Sequence, residues 1–219
     1  MKSFIFDMDG VIFDSESLFI DCCVEAAGKL GMKGIVETCY RCIGVTTAVT
    51  RQILVDTYGD EALVDEFRAR CVELFMEKFR AGQLLMKPGV KELLRALKDR
   101  GCRTAIASST RTDVVERELT DAGIRPFFDQ VIGGDQVSRS KPNPDIFLRA
   151  AEALAEAPER CVVIEDSYNG IRAAKAAGMT AIMVPDLLQP DEEMRELADA
   201  ICPSLTHILN HIDGEAAWI

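Results

Sequence analysis

Apolar residues recur every three or four positions between residues 15 and 82, which is the spacing of amphipathic helices. The first stripe consists of Leu18, Phe19, Cys22, Cys23, Ala26, Ala27 and Leu30. Two more helices are predicted, one from Thr46 or Thr47 to Tyr58 and one over residues 61–80. Convincing β-rich runs are missing between them, so the pattern predicts a continuous helical segment.

After Lys87-Pro88-Gly89 the pattern changes to short apolar runs that alternate with helical ones. The apolar runs, predicted as strands, cover residues 103–107, 130–133, 161–164 and 180–184. The predicted helices cover residues 90–100, 112–122, 144–155 and 171–177, and two more follow Pro190. Short apolar strands that alternate with helices predict an α/β fold, a Rossmann-like doubly wound parallel sheet covered on both faces.

The first predicted strand, residues 3–6, is separated from the other strands by the helical segment. We therefore predict that this segment is an insertion. The α/β core is expected to comprise residues 1–14 and 83–219, and the inserted all-helical domain residues 15–82. Hinges are expected at Asp14-Ser15 and within residues 82–88.

The composition and net charge limit the classes of molecule that the protein is expected to bind. The chain has 219 residues, 48% of them hydrophobic and 28% charged, which is typical of a globular protein. Its formal net charge of -11 argues against a nucleic-acid partner and against an anionic membrane surface. If the ligand is an anion, the attraction for it must therefore be local. No apolar run approaches the roughly 18 residues of a membrane span, and Asp7 and Asp9 interrupt the apolar start, so a cytoplasmic location is expected.

The eight cysteines are irregularly spaced, and reduced, buried thiols are expected. Cys39 and Cys42 form a C-x-x-C pair, but a second pair and a nearby histidine are missing, which argues against zinc. His207 and His211 lie four residues apart, as in metalloproteases, but Ile208 stands where the glutamate is required. These histidines are predicted to belong to a terminal helix.

Candidate chemistry begins at the end of the first strand. Asp7 and Asp9 follow it two residues apart, and Gly10 comes next. Side chains alternate along a strand, so both carboxylates face the same side if the extended conformation continues through them. Two close carboxylates repel, and a hard cation such as Mg²⁺ relieves that repulsion. Carboxylates also act as nucleophiles in phosphoryl transfer.

Further polar residues follow the other predicted strands. In parallel α/β sheets, ligands bind beyond the carboxyl ends of the strands. The residues at those ends are Ser108, Ser109 and Thr110, then Lys141, and then Glu165, Asp166 and Ser167. Together with the two aspartates they supply a nucleophile, an acid or base, hydroxyl donors, a cation and metal ligands. The set predicts a site for metal-assisted phosphoryl transfer.

Each of these residues also has a purely structural interpretation. An isolated D-x-D pair is a weak signal, because aspartate is common in turns and helix caps. Thr110 is predicted to cap the following helix, and Asn143 and Pro144 to be the cap and first residue of the next one. Lys141 could be a solvated loop residue. The coincidence at four strand ends favours the functional interpretation.

Taken together, the motifs resemble those of the haloacid dehalogenase-like phosphohydrolases. The resemblance is greatest to the β-phosphoglucomutases and sugar-phosphate phosphatases that carry an inserted helical cap, and it covers essentially the whole chain. The motifs stand in the family's order as Phe6-Asp7-Met8-Asp9-Gly10-Val11, Ala107-Ser108-Ser109, Ser140-Lys141-Pro142-Asn143-Pro144-Asp145 and Glu165-Asp166-Ser167.

The resemblance implies a role for each motif residue. Asp7 attacks phosphorus, and Asp9 protonates the leaving group and then activates water. Ser108 and Lys141 hold the phosphoryl oxygens. Mg²⁺ is expected on Asp7, the backbone carbonyl of Asp9, Asp166 and, directly or through water, Glu165. The substrate is expected to be a small phosphorylated metabolite such as a sugar phosphate, and the substrate-binding candidates are Ser109, Thr110 and Arg111.

Two departures from the mutase pattern favour simple hydrolysis. Phe19 stands where the mutases carry a histidine, and Gly44-Val45-Thr46 is followed by Thr47 where they carry a phosphate-binding arginine. Arg111 or Arg51 could replace that arginine, although a solvated position is favoured for Arg51. A β-phosphoglucomutase-type isomerase remains an alternative. A phosphorylatable signalling module of the receiver type is a second alternative, from a different class.

Overall fold

The computed structural model describes residues 2–43 and 47–212. Its sheet has six parallel strands in the order β3-β2-β1-β4-β5-β6. The strands are β1 (Ser3–Phe6), β2 (Thr104–Ala107), β3 (Gln130–Ile132), β4 (Cys161–Glu165), β5 (Thr180–Met183) and β6 (Ala200–Ile201). The predicted α/β class with a doubly wound parallel sheet is confirmed. The two-residue strand β6 was not predicted, because it is too short to show alternation.

Ten α-helices accompany the sheet within the described residues. They are α1 (Ser15–Leu30), α2 (Ile35–Cys42), α3 (Thr47–Tyr58), α4 (Glu61–Arg80), α5 (Val90–Asp99), α6 (Thr112–Asp121), α7 (Asp145–Ala153), α8 (Tyr168–Ala176), α9 (Glu192–Leu197) and α10 (Leu205–His211). The sequence pattern did not resolve α2 as a separate helix. The two histidines lie on α10, as predicted.

The chain divides into two compact units. The α/β unit consists of Met1–Phe13 and Met86–Ile219, and the helical unit of Asp14–Leu85. That the helical unit acts as a cap over a site remains a prediction. The Gly44-Val45-Thr46 motif and the tail over residues 214–219 with Trp218 lie outside the described residues.

The helical unit has an apolar core of its own. Its buried members are Cys23, Ala26, Ala27, Met32, Ile35, Leu54, Val64, Phe67 and Cys71. Helix α4 begins where the Asp60 carboxylate accepts a hydrogen bond from the Leu63 N–H (3.0 Å). Helix α1 ends at Leu30, and the next residue, Gly31, has a φ of 70°, the left-handed conformation common after helices.

In the α/β unit the strands are buried because helices cover the sheet. Ile5, Ala105 and Val163 contribute to an apolar core that also includes Phe147 and Ala150 of α7. This core packs against the strands, and the polar residues follow at the strand ends. The packing therefore sets the positions from which those side chains extend.

Two predicted helix caps are wrong. Helix α6 begins after Arg111, not after Thr110, and α7 begins at Asp145 after Pro144. Asn143 donates to the Ser140 carbonyl (3.0 Å) and does not cap α7. Both residues are held by loop contacts that helix-cap preferences do not anticipate.

Two smaller predictions can be compared with the structure. All eight cysteines are free, and five are buried, but Cys39, Cys42 and Cys102 are only partly buried. Within residues 2–43 and 47–212, no helix combines the length and the apolar character needed to cross a membrane.

Candidate active site

The candidate site lies at the carboxyl edge of the sheet in the α/β unit. Asp7 follows β1, Ser108 follows β2, and Glu165 ends β4 with Asp166 next to it. Strand β1 pairs with both β2 and β4, so the three strand ends are neighbours. The sheet order therefore assembles residues that are far apart in sequence.

Lys141 contacts all three of these strand ends. Its Nζ donates to Asp7 Oδ1 (2.5 Å) and to Glu165 Oε1 (2.7 Å), and also to the Ala107 carbonyl (3.3 Å). The ammonium also lies 4.9 Å from the centre of the Phe147 ring. The Lys141 side chain is only 8% exposed. Its structural interpretation as a solvated loop lysine is therefore wrong.

Glu165 is held in place through both carboxylate oxygens. Oε1 accepts from Lys141, and Oε2 accepts from the backbone N–H (2.7 Å) and the hydroxyl (2.9 Å) of Ser167. Ser167 also caps α8, because its Oγ accepts from the Gly170 N–H (3.1 Å). A Cβ at Gly170 would lie 1.7 Å from Glu165 Oε1, so only glycine fits there.

Asp166 approaches the turn after β1. A Cβ at Gly10 would lie 2.3 Å from Asp166 Oδ2, and Gly10 has a φ of 73°. Both observations require glycine at this position. Asp7, Glu165 and Asp166 each offer a carboxylate oxygen, and these oxygens lie within 4.8 Å of one another. We call these three buried residues the carboxylate cluster.

Asp9 makes a different contact. Its Oδ2 accepts a hydrogen bond from Thr110 Oγ1 (3.3 Å). The backbone N–H of Thr110 donates to Ser108 Oγ (3.0 Å), and Ser108 is fully buried. Strand β1 ends at Phe6 and the chain bends at Met8, so the extended conformation does not continue through both aspartates. The loop after β2, and not strand alternation, gives Asp9 its neighbours.

The electrostatics of the cluster are dominated by burial. Burial raises the pKa of Asp7 to about 8, Lys141 opposes that rise, and the charges of Glu165 and Asp9 add to it. Burial alone would lower the pKa of Lys141, but the charges of Asp7 and Glu165 outweigh it and keep that pKa above its usual value. The ammonium is therefore retained.

This donor set fits a hard divalent cation. Carboxylate oxygens are the ligands that Mg²⁺ prefers, and three of them converge here in a buried environment. A divalent charge would also favour the ionised form of Asp7 and so oppose the burial that raises its pKa.

The three predicted substrate-binding residues do not all contact the candidate catalytic residues. Thr110 contacts Asp9, whereas Ser109 is exposed. Arg111 forms an ion pair with Asp113 (3.1 Å), and its side chain is 73% exposed. In the helical unit, Arg51 forms ion pairs with Glu61 and Asp65 (2.9 Å each), in agreement with the solvated position favoured for it.

Sequence reasoning assigned no role to Ser167 or Gly170. The predicted helix began at residue 171, so the sequence pattern placed Gly170 outside it and gave no signal for its packing. Ser167 belongs to the Glu165-Asp166-Ser167 motif, and a serine just before a helix commonly caps it. Their contacts with Glu165 could be found only from the structure.

Comparisons with known proteins agree on one family. A family profile described as haloacid dehalogenase-like hydrolase matches residues 4–184. A phosphorylated carbohydrates phosphatase of Thermotoga maritima is 35% identical, with 83% of this chain and 84% of the relative covered. Protein CbbY of Cereibacter sphaeroides is 34% identical with 88% of each chain covered. Hexitol phosphatase B of Escherichia coli is 31% identical, with 93% and 92% covered.

Solved structures share the fold over the whole chain. CbbY from Rhodobacter sphaeroides in complex with phosphate superimposes with a TM-score of 0.73 at 26% identity, covering 100% of this chain and 99% of that one. A variant of the same protein is known in complex with xylulose-(1,5)bisphosphate. A hydrolase from Pseudomonas syringae at 24% identity has a TM-score of 0.76, covers 97% of this chain and 98% of its own, and supports the fold alone.

Proposed function

The chain belongs to the haloacid dehalogenase-like hydrolase family, and from that premise we propose that it is a Mg²⁺-dependent phosphatase of a small phosphorylated sugar. The predicted family and the enzyme class, a phosphoric monoester hydrolase, are confirmed at the level of the family. The substrate, the cation and the covalent mechanism are proposals. The observation that carries them is the buried contact of Lys141 with Asp7 and Glu165 at the carboxyl edge of the sheet.

Asp7 is the proposed nucleophile. One of its carboxylate oxygens forms a bond to phosphorus as the bond to the ester oxygen breaks, which gives an aspartyl-phosphate. Lys141 holds the Asp7 carboxylate in place through its hydrogen bond and offsets part of the negative charge in the transition state. Water later attacks phosphorus, which releases phosphate and regenerates Asp7.

Asp9 is the proposed acid and base. It gives a proton to the departing sugar oxygen in the first step and takes a proton from the attacking water in the second. The hydrogen bond from Thr110 orients its carboxyl group. Ser108, whose buried Oγ is already fixed by the Thr110 N–H, is the proposed donor to a phosphoryl oxygen.

Mg²⁺ would be held by Asp7, Glu165 and Asp166 together with the backbone carbonyl of Asp9. When bound, it would neutralise charge on the phosphoryl oxygens and keep the Asp7 carboxyl ionised. A sugar phosphate is the proposed substrate because the relatives named above include phosphatases of phosphorylated carbohydrates and of hexitols.

The test is release of inorganic phosphate from a panel of phosphorylated metabolites, with Mg²⁺ and with EDTA. We expect Mg²⁺-dependent release from phosphorylated sugars. The Asp7→Asn variant should lose turnover while its circular dichroism stays that of the wild type. Asp199→Asn is the matched control, because Asp199 pairs with Lys175 (2.7 Å) away from the cluster.

Three outcomes contradict parts of the proposal. Activity that EDTA does not change would contradict the role of the cation. An active Asp7→Asn variant would contradict the aspartyl-phosphate intermediate. Conversion of β-glucose 1-phosphate to glucose 6-phosphate without phosphate release identifies the mutase alternative. Stoichiometric labelling by a phosphodonor without turnover identifies the signalling alternative.

A further inference from the structure

Asp186 is a polar residue at the carboxyl edge of the sheet to which the proposed mechanism gives no role. It lies three residues beyond Met183, where β5 ends. The chain leaves that strand alongside the end of β4, because the Val184 N–H donates to the Glu165 carbonyl (2.7 Å). Asp186 therefore extends from the strand next to the one that carries Glu165 and Asp166.

The two oxygens of the Asp186 carboxylate have different surroundings. Oδ1 accepts a hydrogen bond from Lys87 Nζ. Oδ2 is buried and has no hydrogen-bond partner among the residues that the structure describes. The side chain as a whole is 10% exposed. A buried carboxylate oxygen without a donor is unfavourable, so a donor that is not part of the chain is expected to satisfy it.

The location of Asp186 indicates what that donor is. A carboxylate oxygen of Asp186 lies within 4.8 Å of one of Asp166, which belongs to the carboxylate cluster. Mg²⁺ keeps several of its water molecules when proteins bind it, and those waters are hydrogen-bond donors. The Lys87–Asp186 pair adds no net charge to the site, so its contribution would come from hydrogen bonding and not from added attraction for the cation.

We propose that Asp186 is a further residue of the cation site, whose Oδ2 accepts a hydrogen bond from the hydration shell of a divalent cation held by Asp7, Glu165 and Asp166. Lys87 is its positioning residue, because it holds Oδ1 and so sets the direction of Oδ2. This inference rests on the proposed function, which places the cation on the carboxylate cluster.

The experiment measures Mg²⁺ binding to the free protein by isothermal titration calorimetry, without substrate. Loss of a hydrogen-bonding partner of this kind weakens metal binding by about 10- to 100-fold. We expect a loss of that size for Asp186→Asn, which keeps the shape of the side chain. Asp199→Asn is the matched control and should bind Mg²⁺ as the wild type does, because Asp199 pairs with Lys175 and accepts from the Ala181 N–H.

A second variant controls for misfolding as the cause of any loss in Asp186→Asn. The double substitution Lys87→Met with Asp186→Leu replaces the ion pair with apolar side chains, an exchange that is often neutral for stability. It should show the same loss of Mg²⁺ affinity. In both variants the rise in Tm produced by a fixed Mg²⁺ concentration should shrink and return at higher concentration. A purely structural role would lower Tm equally with and without Mg²⁺.

The outcomes separate this inference from the proposed function. Wild-type Mg²⁺ affinity in both variants, with Mg²⁺-dependent phosphatase activity in the wild type, overturns the role of Asp186 and leaves the proposed function intact. Failure of the wild-type protein to bind Mg²⁺ overturns both. Weaker binding in the two variants but not in Asp199→Asn supports the proposal.

Discussion

Lys141 in the α/β unit and Arg51 in the helical unit each lie between two carboxylates, but their surroundings are opposite. Lys141, Asp7 and Glu165 have side chains that are 8%, 9% and 1% exposed. Arg51, Glu61 and Asp65 are 34%, 71% and 53% exposed. A cation between two carboxylates is therefore buried in one unit and in contact with water in the other.

Burial changes what these ions do. Water screens the charges around Arg51, and exposed pairs of this kind contribute little to stability. Around Lys141 screening is weak, and burial raises the pKa of Asp7 to about 8 although the charge of Lys141 opposes that rise. The comparison therefore predicts that breaking the buried group costs more stability than breaking the exposed one.

Removal of the buried ammonium should have the largest effect. Lys141→Met leaves Asp7 and Glu165 buried without their shared partner, so we expect a loss of about 3–5 kcal/mol in the free energy of unfolding. Phosphatase activity should fall to background. Urea unfolding and phosphate release measure the two effects. A stable variant would show that the carboxylates are reached by water and that the comparison with Arg51 is wrong.

The packing around Glu165 should give the second largest effect. The Cβ of a Gly170→Ala variant would lie 1.7 Å from Glu165 Oε1, and accommodating it should cost about 1–3 kcal/mol and much of the activity.

Gly28→Ala in α1 is the matched control for Gly170→Ala, because nothing lies within 4 Å of a Cβ there. It should stabilise the protein by roughly 0.5–1 kcal/mol. Thermal unfolding of both variants measures the difference. Equal effects would mean that helix propensity alone, and not contact with Glu165, decides the result.

Glu118 tests how far burial shifts the pKa of a carboxyl group. It is 6% exposed on α6, and burial, assisted by the charge of Asp9, raises its pKa to about 7. A raised pKa in the folded state means that the group's contribution to stability is present below about pH 4.5 and is lost as pH rises through about 7. Glu118→Gln should therefore be more stable than the wild type at pH 8, and equal to it near pH 4.

We expect a difference on the order of 1 kcal/mol at pH 8, after allowance for screening by nearby water. Urea unfolding at several pH values measures it. Glu116→Gln is the control, because Glu116 forms an ion pair with Arg125 and is substantially exposed. Parallel pH profiles for the wild type and Glu118→Gln would show that Glu118 is not buried as described.

Arg51→Met should give the smallest effect of the four. Its ion pairs with Glu61 and Asp65 are exposed, so only a slight fall in Tm is expected. That fall should disappear in 1 M NaCl, where the screening length is about 3 Å. A large change that persists in high salt would indicate that these ion pairs are structurally essential and would remove the contrast with Lys141.

The sequence by itself determined the elements and the chemical types at the strand ends. Helical spacing in residues 61–80 predicted α4 with its observed bounds, because that periodicity is a local property. The short apolar run before Asp7 predicted β1 for the same reason. Family resemblance then gave the motif residues their expected roles.

The tertiary structure alone decided which of these residues meet. The contact of Lys141 with Asp7 spans 134 positions, and that of Lys87 with Asp186 spans 99. Thr110 was predicted to cap α6, but its hydroxyl contacts Asp9, 101 positions away. Local periodicity carries no information about such pairs, because the order of strands in the sheet and the packing of its loops determine which side chains are neighbours.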